Sequence, residues 1–382
     1  MSEELGLSIV IPCLDEEQTL AASIRLGLEA VKLSGLTGEV VVADNGSTDR
    51  SREIAVQEGA RVVPVNKRGY GYALMEGCRQ ARGRFIIMGD ADATYDFREA
   101  VAFLEDLKNG ADLVMGSRLR GNIEEGAMPF LHRYLGTPVL SRLIKGFFRL
   151  EITDCNCGMR AFTRSAFDRL ALVSGGMEFA SEMIIKCGLY RMKVTEHPCS
   201  LRRDTRNKPS HLRTWRDGWR HLRFILLFAP HVIFQIPGWT MFIVGLLITG
   251  AILPGPIHLA GRMIDFHYLF YSIPLVIIGY QALWFDKMEE YYVRFAGYLP
   301  ADIRREQHGS FHLELALILG ALMMLTGAGI LAAMVVKWVM TNFGEMRQIR
   351  LGAFAMLMLI LGVQTMMNGM VIGMMDIKVD RR

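Results

Sequence analysis

The hydrophobic rhythm of the chain changes about halfway along. Over residues 1–200, short β-branched runs fall at 7–11, 40–43, 61–65, 84–88 and 112–115. Between them lie segments of helical spacing, roughly 17–33, 49–58, 71–82 and 97–109. Strands alternating with helices predict a parallel sheet covered on both faces. Ligands of such sheets bind beyond the carboxyl ends of the strands, so the residues just after each strand are the ones to read.

Residues 224–376 lose this alternation. The runs 224–261, 266–285, 315–336 and 351–375 contain no Lys, Arg, Asp or Glu. Each of the last three is about long enough to cross ~30 Å of hydrocarbon, and the first is longer than needed. Four transmembrane helices are predicted, at about 232–253, 267–286, 313–336 and 351–374, the first ending at Pro254-Gly255-Pro256. Basic residues in short loops mark the cytoplasmic side. They gather before the first span, in the 287–311 loop (Lys287, Arg294, Arg304, Arg305) and in the tail (Lys378, Arg381, Arg382). The intervening loops carry only Arg262, Arg347 and Arg350. The expectation is a multi-pass integral membrane protein whose N-terminal domain and C-terminus are both cytoplasmic.

A basic stretch separates the halves and suggests three parts, 1–200, 201–228 and 229–382. From Arg202 to Arg223 there are eight Lys and Arg against Asp204 and Asp217, with Trp215, Trp219, Leu222 and Phe224 interleaved. This reads as an amphipathic interfacial helix on anionic lipid. The positive-inside signal accounts for the same charge.

Composition agrees with this division. The 382 residues are 51% hydrophobic and 21% charged, with mean hydropathy +0.24. That is too apolar for an ordinary soluble enzyme and too charged for a pure membrane bundle. A net charge of +4 is too mild to indicate a nucleic-acid partner. The six cysteines are scattered, and the Cys155/Cys157 spacing is not that of a zinc site, so reduced thiols are expected. The acidic opening MSEELGLSIVIP is unlike a signal peptide.

The strand ends carry the chemistry. The first run leads into Pro12-Cys13-Leu14-Asp15-Glu16-Glu17. It lacks the G-x-G-x-x-G of nicotinamide and flavin enzymes. Its acidic residues suit a helix N-terminus, or supply a carboxylate that accepts from a base or ribose. The second run leads into Asp44-Asn45-Gly46-Ser47-Thr48-Asp49. Turn chemistry accounts for Gly46, Ser47 and Asp49, and less well for Asp44, which is placed to grip the base or ribose of a sugar nucleotide. The fourth run ends in Asp90-Ala91-Asp92. Residues i and i+2 on a strand point to one side, and two adjacent carboxylates repel unless a cation joins them. Mg²⁺ or Mn²⁺, completed by substrate phosphates, meets that need. Two solvated aspartates in a loop are the simpler alternative. Arg118 follows the fifth run on the same sheet edge, where an always-charged planar guanidinium suits a phosphate. Gly69-Tyr70-Gly71 could approach a phosphate closely, but reads more readily as a flexible turn.

In this order and spacing, PCLDEE, ADNGSTD, GDAD and MGSR resemble glycosyltransferase family 2. Within it the chain resembles the polyprenyl-phosphate sugar synthases, the dolichol-phosphate mannose and glucose synthases and their bacterial counterparts. The likeness extends over about residues 5–228, through TDCNCGMRAF and HLRTWRDGWRHLRF. It implies a GT-A-type, Rossmann-like, mostly parallel α/β sheet domain followed by an α-helical membrane domain of four spans. It also implies that Pro12, Leu14, Glu16 and Asp44 contact the base and ribose. Asp90 and Asp92, with Ala91 between them, would organise the metal and the donor diphosphate. Arg118 and Arg133 would bind the lipid phosphate, although a surface salt bridge suits Arg133 as well. Arg202, Arg203, Arg206 and Lys208 would close over the diphosphate as a lid, or serve lipid attraction. Arg160 and Glu182 read as pocket residues or as a structural ion pair. Three positions depart from the family pattern: Leu14 for Tyr, Asn45 for Asp and Thr94 for Gln.

The implied reaction moves a hexose, glucose from UDP-glucose by the branch resembled, onto a polyprenyl phosphate at the cytosolic face, with inversion. The acceptor oxygen is already anionic at pH 7, so no general base is required. The partners are a nucleotide sugar, the lipid phosphate and the membrane, with no nucleic acid. The oligomeric state is left open, a homo-oligomer included. One alternative is a GDP-mannose-dependent mannose synthase. Another is a lipid transporter or flippase with a non-catalytic nucleotide-sugar-binding domain. A processive polysaccharide synthase would carry Gln-x-x-Arg-Trp where residues 212–216 read LRTWR. An anchored nucleotidyltransferase would need a basic triphosphate loop where the chain is acidic.

Overall fold

In a computed structural model the β-branched runs are the strands β1 (Leu7–Cys13), β2 (Gly38–Asp44), β3 (Arg61–Pro64), β4 (Phe85–Met88) and β5 (Leu113–Ser117). Two further strands, β6 (Arg160–Thr163) and β7 (Val194–Pro198), complete a seven-stranded sheet ordered β3-β2-β1-β4-β6-β5-β7. The structure describes residues 5–206, 214–229, 231–259, 261–295, 312–345 and 348–376. It divides into two compact units, Met1–Phe228 and Ala229–Arg382.

Every pairing in the sheet is parallel except those of β6, which runs against both β4 and β5. The sheet is thus mostly parallel, as the family resemblance implies, and not wholly so, as strand–helix alternation alone predicts. β6 is four residues long and opens on a buried arginine, so it shows no alternation to read. Its reversal matters for the site. The carboxyl ends of β1, β2, β4 and β5 share one edge, and β6 meets that edge with its amino end, Arg160 pairing with both Met88 and Met115. Residues that precede β6 therefore arrive where residues that come after the other strands also arrive.

The helices of this unit are α1 (Leu20–Leu33), α2 (Ser51–Gln57), α3 (Tyr70–Gln80), α4 (Phe103–Lys108), α5 (Thr137–Phe148), α6 (Arg164–Leu170), α7 (Phe179–Leu189) and α8 (Thr214–Leu227). The helix expected over 97–109 is split, a 3₁₀ turn at Glu99–Ala102 preceding α4. α1 lays Leu20, Ile24 and Ala30 against Ile9, Ile11, Val40 and Val42 of the sheet. Each buried Leu or Ile of this kind contributes about 1.5–3 kcal/mol.

α8 is the basic, aromatic segment. It packs on α7 and α5, buries Ile225 and leaves Trp219 exposed. Ser181 Oγ and His221 Nδ1 share a 2.7 Å hydrogen bond, and Arg220 lies 4.0 Å from Glu178. Lys208 and Arg213 lie outside the described residues, as do the basic loop and tail positions Arg304, Arg305, Arg347, Lys378, Arg381 and Arg382.

The second unit contains α9 (Ile236–Ile252), a hairpin of β8 (Ile257–Leu259) and β9 (Arg262–Ile264), α10 (Leu269–Phe295), α11 (Leu313–Met340) and α12 (Ile349–Asp376). Among the described residues, four stretches are long and apolar enough to cross a membrane: Val232–Ile252, Phe266–Val293, Leu313–Met340 and Ile349–Met375. The helices cross closely at glycines. A Cβ on Gly279 of α10 would lie 2.4 Å from the Phe242 nitrogen of α9. One on Gly362 of α12 would lie 2.7 Å from the Gly320 carbonyl oxygen of α11. Such small residues let apolar helices approach in lipid. Between α10 and α12, Gln281 and Asn368 exchange two amide hydrogen bonds of 3.2 and 3.1 Å, and Tyr280 bonds Thr365 at 2.7 Å.

Candidate active site

The loops after β1 and β2 are braided together. The Asp15, Glu16 and Glu17 N–H groups donate to Ser47 Oγ, Ser51 Oγ and Asp49 Oδ2. In return the Thr48 N–H donates to Asp15 Oδ1 at 2.7 Å. Asp15 adopts φ 57°, a left-handed conformation that this lattice of bonds sustains. Pro12 is buried in β1, and Leu14 stands half-exposed beside the braid. Asp44 is only 1% exposed. Its carboxylate accepts from the Gly46 and Ser47 N–H groups and from Arg52 Nε at 2.5 Å. The turn N–H groups and Arg52, a charge partner that the spacing did not reveal, thus fix the Asp44 carboxylate at the strand end.

Asn45 ties this braid to the next loop. Its amide donates to the Lys67 carbonyl and accepts from the Gly69 N–H at 2.7 Å. The Gly69-Tyr70-Gly71 turn is pinned rather than flexible. A Cβ at Gly69 would lie 2.2 Å from the Gly175 carbonyl oxygen, and one at Gly71 would lie 2.2 Å from that of Ser174. The turn delivers a side chain that spacing alone does not single out, Tyr70, whose hydroxyl donates to Asp90 Oδ1 at 2.9 Å.

Asp90 and Asp92 follow β4, and the turn between them is clamped from α1. Ser23 Oγ donates to the carbonyl of buried Ala91 and accepts from the Ala93 N–H. Asp92 Oδ1 accepts from both the N–H and the hydroxyl of Thr94. Asp92 Oδ2 faces Arg206 Nη2 at 3.4 Å. Arg206 also bonds Glu16 at 2.6 Å and Asp204 at 2.7 Å, so one guanidinium links the β1 and β4 corners. Enclosure and the charge of Asp92 push Asp90 up to about 6, against the Tyr70 hydrogen bond and the charges of Arg118 and Arg206.

Arg118, just past β5, makes a bidentate pair with Asp154 at 2.7 and 2.8 Å. Asp154 is fully buried and comes from the loop that enters β6. These bonds use Nε and Nη2 of the guanidinium. Gly158, in the same loop, lets Asp90 sit close: a Cβ there would lie 2.4 Å from Asp90 Oδ2. Arg133 lies on the irregular turn before α5 with its guanidinium over the Tyr134 ring at 5.5 Å, and no described carboxylate pairs with it. Burial, helped by the charge of Arg118, holds the pKa of His132 below its usual value. Arg202 pairs with Asp96 at 2.6 Å. The Arg203 N–H donates to Glu124 while its side chain stays exposed.

Arg160 and Glu182 form neither a pocket nor a pair with each other. Buried Arg160 donates to the carbonyls of Cys157, Ala180 and Cys155. Glu182 pairs with Lys186 at 2.7 Å and accepts from the Val173 and Ser174 N–H groups. Both residues hold loops in place around the site.

The donor set fits a hard divalent cation. Among the described residues no cluster of three or more His, Cys, Asp and Glu that could hold a metal ion gathers, so a cation held by Asp90 and Asp92 would need ligands from outside the protein. Phosphate oxygens and water would complete such a shell, as they commonly do for Mg²⁺. The upward push on Asp90 marks charge that a cation would relieve.

Residues 8–171 match the model of glycosyl transferase family 2, and residues 289–376 match that of the glycosyltransferase family 2 C-terminal transmembrane region. The low-salt glycan biosynthesis hexosyltransferase Agl6 of Haloferax volcanii is 33% identical over 376 residues, 96% of this chain and 88% of that protein. A dolichyl-phosphate hexose transferase of the same organism is 28% identical over 51% of this chain and 82% of its own. Among solved structures, glucosyl-3-phosphoglycerate synthase of Mycobacterium tuberculosis is similar at 20% identity over 59% of this chain and 80% of that one. The TM-score of that likeness is 0.47. A relative so alike over most of its own length, with family matches on both the sheet and the membrane helices, makes this chain a glycosyltransferase of family 2.

Proposed function

We propose that the chain transfers a hexose from a nucleotide sugar, UDP-glucose foremost, to a polyprenyl phosphate at the cytosolic membrane face. The observation that carries this reading is the meeting of Asp90, Asp92 and Arg206 beside the Arg118–Asp154 pair on one sheet edge. The four candidate spans support a lipid acceptor, because a polyprenyl tail cannot leave the bilayer. The names of two relatives, a hexosyltransferase and a dolichyl-phosphate hexose transferase, point the same way. The cytosolic orientation rests on the basic residues that flank the spans.

In this reading Asp90 and Asp92 hold Mg²⁺ or Mn²⁺, which when bound neutralises charge developing on the leaving diphosphate. Pro12, Leu14, Glu16 and Asp44 line the nucleotide corner. Arg206 leaves its carboxylates for the diphosphate, and Arg203 lies on the same strap. Arg118 and Arg133 hold the acceptor phosphate for attack on the sugar's opposite face. A single displacement of this kind inverts the anomeric centre.

The test is a transfer assay in detergent with undecaprenyl phosphate, Mn²⁺ or Mg²⁺ and separately labelled UDP- and GDP-sugars. Label is expected in the organic phase from a UDP-sugar and is lost in Asp92→Ala. Label from GDP-mannose alone would move the donor assignment to mannose. Nucleotide-sugar binding without transfer from any donor would sink the lipid-phosphate reading.

A further inference from the structure

Asp90 and Asp92 are steadied very differently. Asp92 has two donors on Oδ1, the N–H and hydroxyl of Thr94, and Arg206 on Oδ2. Among the described residues Asp90 has one hydrogen-bond donor, the Tyr70 hydroxyl at 2.9 Å. Its other oxygen lies against Gly158, where a Cβ would come within 2.4 Å. The plane of the Asp90 carboxylate is therefore set by a hydroxyl on one side and a bare Cα on the other.

The position of that hydroxyl is itself fixed by packed backbone. Tyr70 opens α3 directly after Gly69, which adopts φ +148°. The Tyr72 N–H donates to the Gly175 carbonyl at 3.2 Å. A Cβ on Gly175 would lie 2.1 Å from the Tyr72 ring, so the two turns interlock without room for a side chain. The 173–176 turn is in turn held by Glu182 through the Val173 and Ser174 N–H groups, and Glu182 is charge-paired with Lys186. A phenylalanine at position 70 would fill the same volume. What the tyrosine adds is one donor aimed at one carboxylate oxygen.

We propose that Tyr70 is a positioning residue for the cation carboxylates, holding Asp90 in the orientation in which it and Asp92 can share one divalent ion. This role rests on the proposal that Asp90 and Asp92 hold a cation. A carboxylate has about four lone-pair sites, so the Tyr70 bond leaves Asp90 able to ligate. Hydrogen bonds behind a ligand are commonly worth 10- to 100-fold in metal affinity.

The test uses the full chain in detergent with UDP, reading uptake of Mn²⁺ from the loss of its free electron paramagnetic resonance signal. Tyr70→Phe is expected to raise the Mn²⁺ dissociation constant about 10-fold, while the metal-free chain still unfolds in one cooperative transition whose melting temperature falls only by the loss of one buried hydrogen bond. In an Asp90→Asn background the same substitution is expected to add nothing, because the partner it acts through is gone. Wild-type-like Mn²⁺ uptake by Tyr70→Phe would overturn the role. So would an equal loss in both backgrounds, which would make the hydroxyl merely structural. A wild-type chain that takes up no Mn²⁺ would remove the cation reading and this role with it, whereas failed sugar transfer with intact Mn²⁺ uptake would strike only the acceptor assignment.

Discussion

Glu16, after the first strand, and Asp92, after the fourth, share a single guanidinium. Arg206 reaches the first at 2.6 Å and the second at 3.4 Å, with only 12% of its side chain exposed. A segment that comes after the whole sheet thereby closes over the edge where the first and fourth strands end. Its charge balances carboxylates that would otherwise face each other across that edge.

Removing that charge should separate binding from folding. Arg206→Met is expected to lower kcat/KM for the donor by about 100-fold, the scale of losing one charge-directed donor in a site. KM for the lipid phosphate should stay close to wild type. Initial rates with each substrate varied in turn check this, and an equal rise in both KM values would assign Arg206 to general stability instead.

Gly158 and Gly146 offer a paired comparison. A Cβ at Gly158 meets Asp90 Oδ2 at 2.4 Å, whereas one at Gly146, within α5, meets nothing within 4 Å. Gly158→Ala is expected to abolish most transfer, since the carboxylate must turn away. Gly146→Ala should keep full activity and add about 0.5–1 kcal/mol of stability from helix propensity. Transfer rates and thermal melting of the two variants decide it.

The Arg118–Asp154 pair should prove costly to break from the buried side. Asp154 is fully buried, and its Oδ2 also accepts from the Arg118 N–H at 3.1 Å. Asp154→Asn leaves the Arg118 charge without its buried partner, at about 3–5 kcal/mol. Arg118→Lys should fold better than Asp154→Asn yet lose acceptor affinity, because an ammonium cannot hold Asp154 through two bonds and also face a phosphate. Melting temperatures rank the first effect, and KM for lipid phosphate reads the second.

Acid should loosen the strap through Asp96. Hydrogen bonds from Arg98, together with the Arg202 charge, hold its carboxyl below the usual value of 3.8 against the opposing effect of burial. A depressed folded pKa gives stability that is complete above 3.8 and disappears as pH falls through the lower folded value. Asp96→Asn is therefore expected to flatten the acid limb of stability and to expose the 202–206 segment to protease at neutral pH. A wild-type acid limb in Asp96→Asn would show that the charge sits elsewhere.

How much of this is legible in the sequence depends on the distance over which each feature is decided. Asp90 and Asp92 are readable because the end of an apolar strand is a local fact, although the strand stops at Met88 and both stand in the turn beyond it rather than at alternate strand positions. The four spans are readable because hydrocarbon thickness sets a length that composition must fill. Tyr70 is not, since its partner comes from another strand and its placement depends on the 173–176 turn packing against glycines. Arg160 reads as a pocket residue or one half of an ion pair because it closes the 154–160 motif, and only its burial and carbonyl partners reveal it as a brace. Asp154 stands in a recognisable motif, yet its spacing assigns it no role of its own. It precedes β6, and a search of strand carboxyl ends overlooks the loop that enters a strand running backwards.

That reversed strand has a consequence for how such a chain can diversify. The braid of 13–17 with 44–51 hangs from strands that enter the site edge, while the 154–159 loop arrives there independently and touches Arg118 and Asp90 from the other side. Within that loop Asp154 is tied to Arg118 and Gly158 to Asp90, so its length and these two positions are constrained from both ends. Because one loop braces Arg118 and Asp90 together, a change in it reaches both at once, while the braid of the first two strands can stand unaltered.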